Sequence, residues 1–330
     1  MSTIPTPRSS LNSDVSVSAR KKSVTVEGRG LHTGHLFRVR VSLAATPGQG
    51  IFFHMSREGI RYSAHAYWLR VSGTSRSTAL ILRGDSRRRF ELFTVEHFLA
   101  AACVSGRHDL DVEIETPEGP TDMLELPVLD GSSRVWLELL AQLESSAEES
   151  LRRVCWKVIR SSEVSDGNKR VTFSPLSDDS KQSLSQYDCA VDFGGTWKQT
   201  AFFEIDWTKI PEALARFTAS IGPARTFGFK KELEALEKRG LAKGASLANA
   251  ILLDGDNVVN EGGLKLDNEI AAHKLLDAVG DFFLMGAPFL GRVDLNAAGH
   301  SMHLRAVEEA FRTGALVKGS LSSSGFFTRD

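Results

Sequence analysis

Apolar and polar residues alternate with a period of two along many short stretches of the chain, which is typical of half-buried β-strands. Ser23–Glu27, His35–Leu43 and Asp109–Glu115 show this alternation clearly. Ala250–Leu253 and Val258–Val259 flank a turn and predict a hairpin. Further strands are predicted where similar runs are bounded by turn residues: Ile51–His54, Thr78–Leu82, Arg89–Phe93, Val154–Arg160, Arg170–Ser174, Cys189–Phe193 and Arg292–Leu295.

Other stretches have the period of a helix. We predict a helix from Thr94 to Val104, with Thr94 as its N-cap and Gly106 as its C-terminal stop. Another predicted helix begins near Thr208, and Pro211 falls in its first turn, where proline is tolerated. After the helix that begins at Thr94, the predicted helices are Pro127–Leu140, Thr208–Thr218, Lys231–Arg239, Ile270–Met285 and His300–Phe311.

The stretch Ile270–Met285 is apolar around nearly its whole circumference, so we predict a buried helix. Nevertheless His273, Asp277 and Asp281 recur every four residues and therefore share one stripe of it. Buried carboxylates cost several kcal/mol, roughly, unless a cation or hydrogen bonds compensate. A metal ion on His273 and Asp277, or a His–Asp pair capped by neighbouring donors, would both explain this stripe.

The order of the elements predicts an α+β fold in two similar halves, each a sheet with two principal helices. The polar stretch Glu144–Ser150 is the best linker. We therefore expect a first domain over 20–147 and a second over 148–320, between a disordered tail at 1–19 and a flexible tail at 321–330.

Composition excludes several classes of protein. The 330 residues are 42% hydrophobic and 25% charged, which is ordinary for globular domains. A net charge of -1 gives no reason to expect nucleic acid as a partner. No apolar run is long enough for stable membrane insertion, no signal peptide is visible, and the three widely spaced cysteines suggest a reducing compartment, so we expect a cytoplasmic protein. The Ser- and Pro-rich start resembles either a transit segment or, as we favour, a solvated tail.

A hydrolytic metal site needs three ligands, an open position and a group that manages protons. His97 is the best third ligand, because its neighbour Glu96 points about 100° away around the helix and could reach the attacking water. Two histidines and one carboxylate suit zinc and also ferrous iron. The loop Gly28–Gly34 does not fit a dinucleotide site, since a strand rather than a helix follows it. His32 lies at the tip of that loop.

Five segments together resemble the UDP-3-O-acyl-N-acetylglucosamine deacetylase family of lipid A biosynthesis. They occur in the family's order and span about residues 20 to 315. Each motif alone is weak, whereas five in register are a specific signal. The segments are Gly30–Gly34, Thr94–His97, Arg225–Phe229, His273–Asp281 and Gly299–Ser301.

The resemblance implies two domains whose helices pack face to face between the sheets, with the active site between them. It implies Zn²⁺ held by His97, His273 and Asp277, and Glu96 as the general base. An acyl-chain passage would be walled by an insert over about 225–260, and a monomer is expected. It further implies roles for these residues: His300 as the cationic proton donor, Asp281 as its carboxylate partner, Thr226 as an oxyanion donor, and Lys274, Phe227 and His32 as substrate contacts.

The chain departs from the family pattern in two places. Gly194–Gln199 replaces a His-Pro pair, which leaves the substrate contacts of that loop open. His303 stands where the family usually has Asn, and we predict it to be a helix-surface residue. Two alternatives to a deacetylase are a non-catalytic sugar-nucleotide-binding relative and a metal-dependent lyase or dehydratase. A non-catalytic relative should have lost Glu96, a ligand or His300, and none is missing.

Overall fold

The alternating stretches form two curled sheets in a computed structural model that describes residues 21–144, 152–177 and 182–330. The first sheet has the strand order β1-β2-β8-β3-β4-β6-β7-β9, with β5 paired to β6. Two helices accompany it, α1 (Glu96–Val104) and α2 (Arg134–Leu140). Its strands are β1 (Ser23–Arg29), β2 (Leu36–Leu43), β3 (Ile51–Arg57), β4 (Ile60–His65), β5 (Val71–Gly73), β6 (Ala79–Arg83), β7 (Arg89–Phe93), β8 (Leu110–Glu115) and β9 (Met123–Glu125).

The second half repeats the plan of a curled sheet with helices on one face. Its helices are α3 (Ile210–Ser220), α4 (Lys230–Lys238), α5 (Glu269–Phe283) and α6 (His300–Arg312). Its strands are β10 (Arg152–Val158), β11 (Ser162–Asp166), β12 (Lys169–Ser174), β13 (Leu184–Asp192), β14 (Lys198–Asp206), β15 (Phe227–Phe229), β16 (Ile251–Asp254), β17 (Asn257–Val258), β18 (Phe289–Asn296), β19 (Leu316–Ser322) and β20 (Phe327–Arg329).

Within the second half, β18 is central, since it pairs in parallel with β13 and antiparallel with β12. The three strands β15–β17 form a separate small sheet within the predicted insert. One continuous apolar core joins both halves, and α1 packs against α5 at its centre. The predicted α+β fold with helices between two sheets is confirmed.

Helix α5 is almost completely buried in this core. Every residue from Glu269 to Phe283 is buried except Lys274, as its all-round apolar pattern predicts. Of the predicted linker only Glu144 is described, and the predicted N-terminal tail at 1–19 lies outside the described residues. None of the helices within the three described ranges combines the length and apolarity needed to cross a membrane.

The structure corrects the prediction of a flexible C-terminal tail. Strands β19 and β20 pair antiparallel, with Leu321 opposite Phe327, so this segment forms an edge of the second sheet. Its Ser- and Gly-rich composition supplies the turn, because Gly325 has a φ of 84° that favours glycine. The ring of Phe327 lies under the ammonium of Lys157, 5.4 Å from the ring centre, and packs against the core.

Two helix starts also differ from the sequence prediction. Thr94 does not cap α1, whose N-cap is Val95. Instead Thr94 adopts a φ of 61° and its hydroxyl donates to Glu125 over 2.9 Å. The second helix of the first half begins at Arg134 rather than Pro127, because Asp130 accepts hydrogen bonds from the backbone and hydroxyl of Ser132 and holds the preceding residues in a turn.

Candidate active site

The site lies where α1 crosses α5. At the crossing, α5 carries Gly280 directly against the backbone of Glu96, so that a Cβ at this position would collide with the carbonyl oxygen of Glu96. A glycine therefore permits a close approach of the two helices. As a result, Glu96 and His97 on α1 face His273 and Asp277 on α5.

His97, His273 and Asp277 form a buried cluster. Nε2 of His97 lies 3.5 Å from Oδ1 of Asp277, and Nε2 of His273 lies 3.6 Å from the same oxygen. The three candidate ligand atoms lie within 4.8 Å of one another. Among the described residues, Oδ1 of Asp277 has no hydrogen-bond partner. A buried carboxylate oxygen that faces two imidazole nitrogens and lacks a donor fits a divalent metal better than a hydrogen-bonded pair.

The surroundings of His273 and Asp277 favour the protonation states that a metal ligand needs. Nδ1 of His273 lies 3.1 Å from the carbonyl of Ala224, so it carries the proton and leaves Nε2 as a lone pair. Burial lowers the pKa of His273 to about 4, which keeps the ring neutral. Burial disfavours ionised Asp277, but the charge of Lys274, whose Nζ lies 2.9 Å from Oδ2, acts together with three neighbouring histidines and holds the pKa of Asp277 well below its usual value.

Glu96 and His300 lie beside the cluster as two groups with opposite proton preferences. Burial raises the pKa of Glu96 to about 7, and its Oε2 accepts a hydrogen bond of 3.1 Å from the backbone of Thr78. Burial disfavours the His300 cation, but the carboxylate of Asp281, together with two other nearby carboxylates, raises the pKa of His300 to about 9. Nε2 of His300 lies 3.9 Å from Glu96 Oε1 and 3.8 Å from Asp277 Oδ2.

Asp281 is held by three donors. Its Oδ2 lies 2.7 Å from Nδ1 of both His300 and His303, and its Oδ1 accepts the hydroxyl of Thr78 over 2.6 Å. The prediction that His303 lies on the helix surface is wrong, since only 1% of the residue is exposed. One turn of α6 separates His303 from His300, and therefore both rings point to the same buried carboxylate.

A cavity of about 370 Å³ opens over the cluster. The predicted residues Thr226, Phe227 and Lys274 line it, together with Glu96, His97, His273, Asp277 and His300. Thr226 is fixed by its backbone, which donates to the carbonyl of Gly131 over 2.7 Å. Other lining residues that the sequence did not single out include Arg76, Lys169, Phe193 and Glu232.

His32 does not line this cavity, although its neighbour Leu31 does. It is 8% exposed, and within the described part of the chain both of its ring nitrogens lack hydrogen-bond partners. Burial lowers the pKa of His32, which favours the neutral ring. The fully buried Glu125 holds the loop by accepting hydrogen bonds from the backbones of His32 and Thr33 at 2.8 to 3.1 Å.

A family model described as UDP-3-O-acyl N-acetylglycosamine deacetylase (LpxC) matches residues 19–312. The chain belongs to this family. A UDP-3-O-acyl-N-acetylglucosamine deacetylase of Syntrophotalea carbinolica is 32% identical over 318 residues, which covers 93% of this chain and 95% of that protein. Proteins of the same name are 32% identical in Myxococcus xanthus, over 87% of this chain and 84% of the relative, and in Haemophilus influenzae, over 87% and 88%.

In this member of the deacetylase family, the loop Gly194–Gln199 supports the helix that carries the cluster. The side-chain oxygen of Gln199 accepts the backbone N–H groups of Ile270 and Ala271, at 3.0 and 3.2 Å, and so satisfies the first turn of α5. Thr196 binds Asp256 in the turn of the small sheet. The loop therefore anchors both α5 and the insert.

Proposed function

We propose that the chain is a Zn²⁺-dependent amidohydrolase that removes the N-acetyl group of UDP-3-O-(3-hydroxyacyl)-N-acetylglucosamine. The products are UDP-3-O-(3-hydroxyacyl)-glucosamine and acetate, in a committed step of lipid A biosynthesis. One observation carries the proposal: a buried cluster of three ligand atoms lies beside Glu96 and His300, whose pKa values are both raised. The family membership supplies the substrate class.

His97, His273 and Asp277 are the proposed metal ligands. Their support is the unpartnered Oδ1 of Asp277 among the described residues and the fixed tautomer of His273. When bound, the metal supplies a Lewis acid that polarises the amide carbonyl.

Glu96 and His300 divide the proton transfers. Ionised Glu96 takes a proton from the attacking water, and its raised pKa makes it a usable base near neutral pH. His300 stays protonated and donates from Nε2 to the departing nitrogen, while Asp281 holds its Nδ1. The hydroxyl of Thr226 is the proposed donor to the oxyanion, a contribution typically of about 3–4 kcal/mol per donor.

The lining of the cavity suits an anionic sugar nucleotide that carries an acyl chain. Lys274 and Lys169 provide cations for a diphosphate, and Phe227 offers an aromatic face to the sugar. The small sheet and α4 are proposed to wall the acyl passage. His32 is the weakest of the proposed contacts, because its ring is buried and does not line the cavity.

The test is turnover of UDP-3-O-acyl-N-acetylglucosamines of different acyl lengths, with and without a chelator. We expect release of acetate that stops on chelation and returns with Zn²⁺; parallel reconstitution with Fe²⁺ would identify the preferred metal. Undiminished turnover after complete metal removal would contradict the metal-dependent mechanism. The cytoplasmic location, supported by three buried free cysteines, and the monomeric state stay predictions.

A further inference from the structure

His300 and His303 share one oxygen of Asp281, and this sharing assigns the protons of both rings. A carboxylate can only accept, so each Nδ1 at 2.7 Å from Oδ2 must carry a proton. Each ring is therefore fixed in orientation by the same acceptor. The other oxygen, Oδ1, is engaged by Thr78.

The two histidines differ in what lies on their far side. His300 lines the cavity and presents Nε2 to Glu96 and Asp277. His303 does not line the cavity and packs against the ring of Phe282 at 5.2 Å. Although its ring also lies 6.1 Å from that of His300, the only hydrogen bond that joins His303 to the site among the described residues runs to Asp281.

We propose that His303 is a positioning residue, whose Nδ1–H anchors the carboxylate of Asp281 so that it holds the ring of His300 toward the reacting amide. This inference deepens the proposed function and rests on it. A neutral histidine suits the task because it donates a hydrogen bond without a second positive charge beside His300. Burial lowers the pKa of His303, in agreement with a neutral donor.

Loss of this donor removes one of the three restraints on Asp281. The carboxylate can then rotate about its Cβ–Cγ bond, and the imidazole bound to it can follow. Displacement of a catalytic group by about 1 Å can cost about 100-fold in rate, so the expected effect is on turnover rather than on substrate binding.

The test compares variants with and without a donor at this position. His303→Phe keeps a ring of similar size against Phe282 but has no donor, whereas His303→Asn keeps an N–H donor. We expect kcat of H303F to fall about 10–100-fold with KM and metal content unchanged, and H303N to keep most of the wild-type kcat. His108→Leu is the matched control: this histidine bonds the carbonyl of Cys103 and contacts Phe283 on α5, outside the cluster.

A spectroscopic readout follows the hydrogen bonds without activity. In metal-free protein, ¹⁵N-histidine spectra should show protonated Nδ1 on both His300 and His303, and H303F should lose one of these signals while the other broadens or shifts. An unchanged His300 signal would contradict the anchoring role.

The outcomes separate this inference from the proposed function. A wild-type protein that does not deacetylate would overturn the function itself. An active wild type with kcat of H303F within about twofold of it would overturn the positioning role alone. A folded H303N as impaired as H303F would also overturn it. Where H303F fails to fold, H303N is compared with the wild type, and a loss of about tenfold or more in its kcat overturns the positioning role.

Discussion

Gly280 of α5 lies so close to Glu96 of α1 that a side chain at 280 would meet the backbone carbonyl of Glu96. The two helices come from different halves of the chain and carry different parts of the site. Because residue 280 has no Cβ, α1 can approach α5 closely enough to bring Glu96 next to the cluster of proposed ligands.

Gly280→Ala should lower both stability and turnover. The new methyl group overpacks the crossing, at a typical cost of about 1–3 kcal/mol, which exceeds the gain of up to about 1 kcal/mol from better helix propensity. Thermal unfolding and kcat measure the two effects. Gly73→Ala is the control, since its Cβ would meet only Ala79 at 3.9 Å, an ordinary contact. A melting temperature and kcat of G280A equal to those of the wild type would show that the crossing of α1 and α5 tolerates the added methyl group, and would contradict this prediction.

Glu96→Gln should reduce kcat about 10²–10⁴-fold, because the amide cannot accept a proton. Metal content should remain that of the wild type, since Glu96 is not among the proposed ligands. Steady-state kinetics with metal analysis of the same sample checks both statements. Near-normal turnover would remove Glu96 as the general base.

His273→Ala should abolish metal binding. Its Nε2 is one of three candidate ligand atoms that lie within 4.8 Å of one another. Its removal would leave only His97 and Asp277 to hold the ion. Metal analysis after gel filtration should show the loss, and Zn²⁺ should no longer raise the melting temperature. His65→Ala, a substitution on the first sheet, is the control and should keep the metal. Unchanged metal content in H273A would exclude His273 as a ligand.

The dependence of kcat/KM on pH should be bell-shaped. In the proposed mechanism Glu96 acts when deprotonated, so its pKa of about 7 predicts a loss of rate as the pH falls through that value. A bound dication disfavours protonation of Glu96 and moves this limb to lower pH. His300 acts when protonated, so its pKa of about 9 predicts a loss as the pH rises through 9. Asp281→Asn should shift the alkaline limb to lower pH, and a rate that still rises well above pH 9 would contradict the role of His300.

Glu269→Gln should destabilise the protein by about 3–5 kcal/mol, the usual cost of breaking a buried ion pair. Glu269 is fully buried and binds Arg225 through Nε at 2.8 Å and through Nη2 at 3.0 Å. Because Arg225 precedes Thr226, turnover should fall as well. Denaturant unfolding measures the stability, and Asp254→Asn, which breaks an exposed pair with Lys230, should change it little.

Local patterns predicted the helices and most strands, because burial follows periodicity within each element. The polar stripe on α5 and the motifs that the chain shares with its family also indicated His97, His273 and Asp277. The structure brings these three residues together. Thr78 was not predictable, since its contact with Asp281 spans the two halves of the chain and a threonine before a strand carries no signal. Glu125 was missed because its hydrogen-bond partners lie 31 to 93 residues away in the sequence.

His303 could have been found from its spacing. It lies three residues after His300, and such residues share a helix face, so the burial of one predicts the burial of the other. The polar residues of α6 nevertheless suggested a surface position. The predicted cap at Thr94 failed because a buried acceptor, Glu125, competes for the hydroxyl.

The position of the site on a contact between distant parts of the sequence also limits when it can form during synthesis. His97 belongs to the first half, whereas His273, Asp277 and His300 are made much later. Because synthesis proceeds from the N-terminus, His97 leaves the ribosome long before its partners are made. The proposed metal site can therefore form only after the second half is made, and a truncated chain that stops before α5 lacks two of the three proposed ligands.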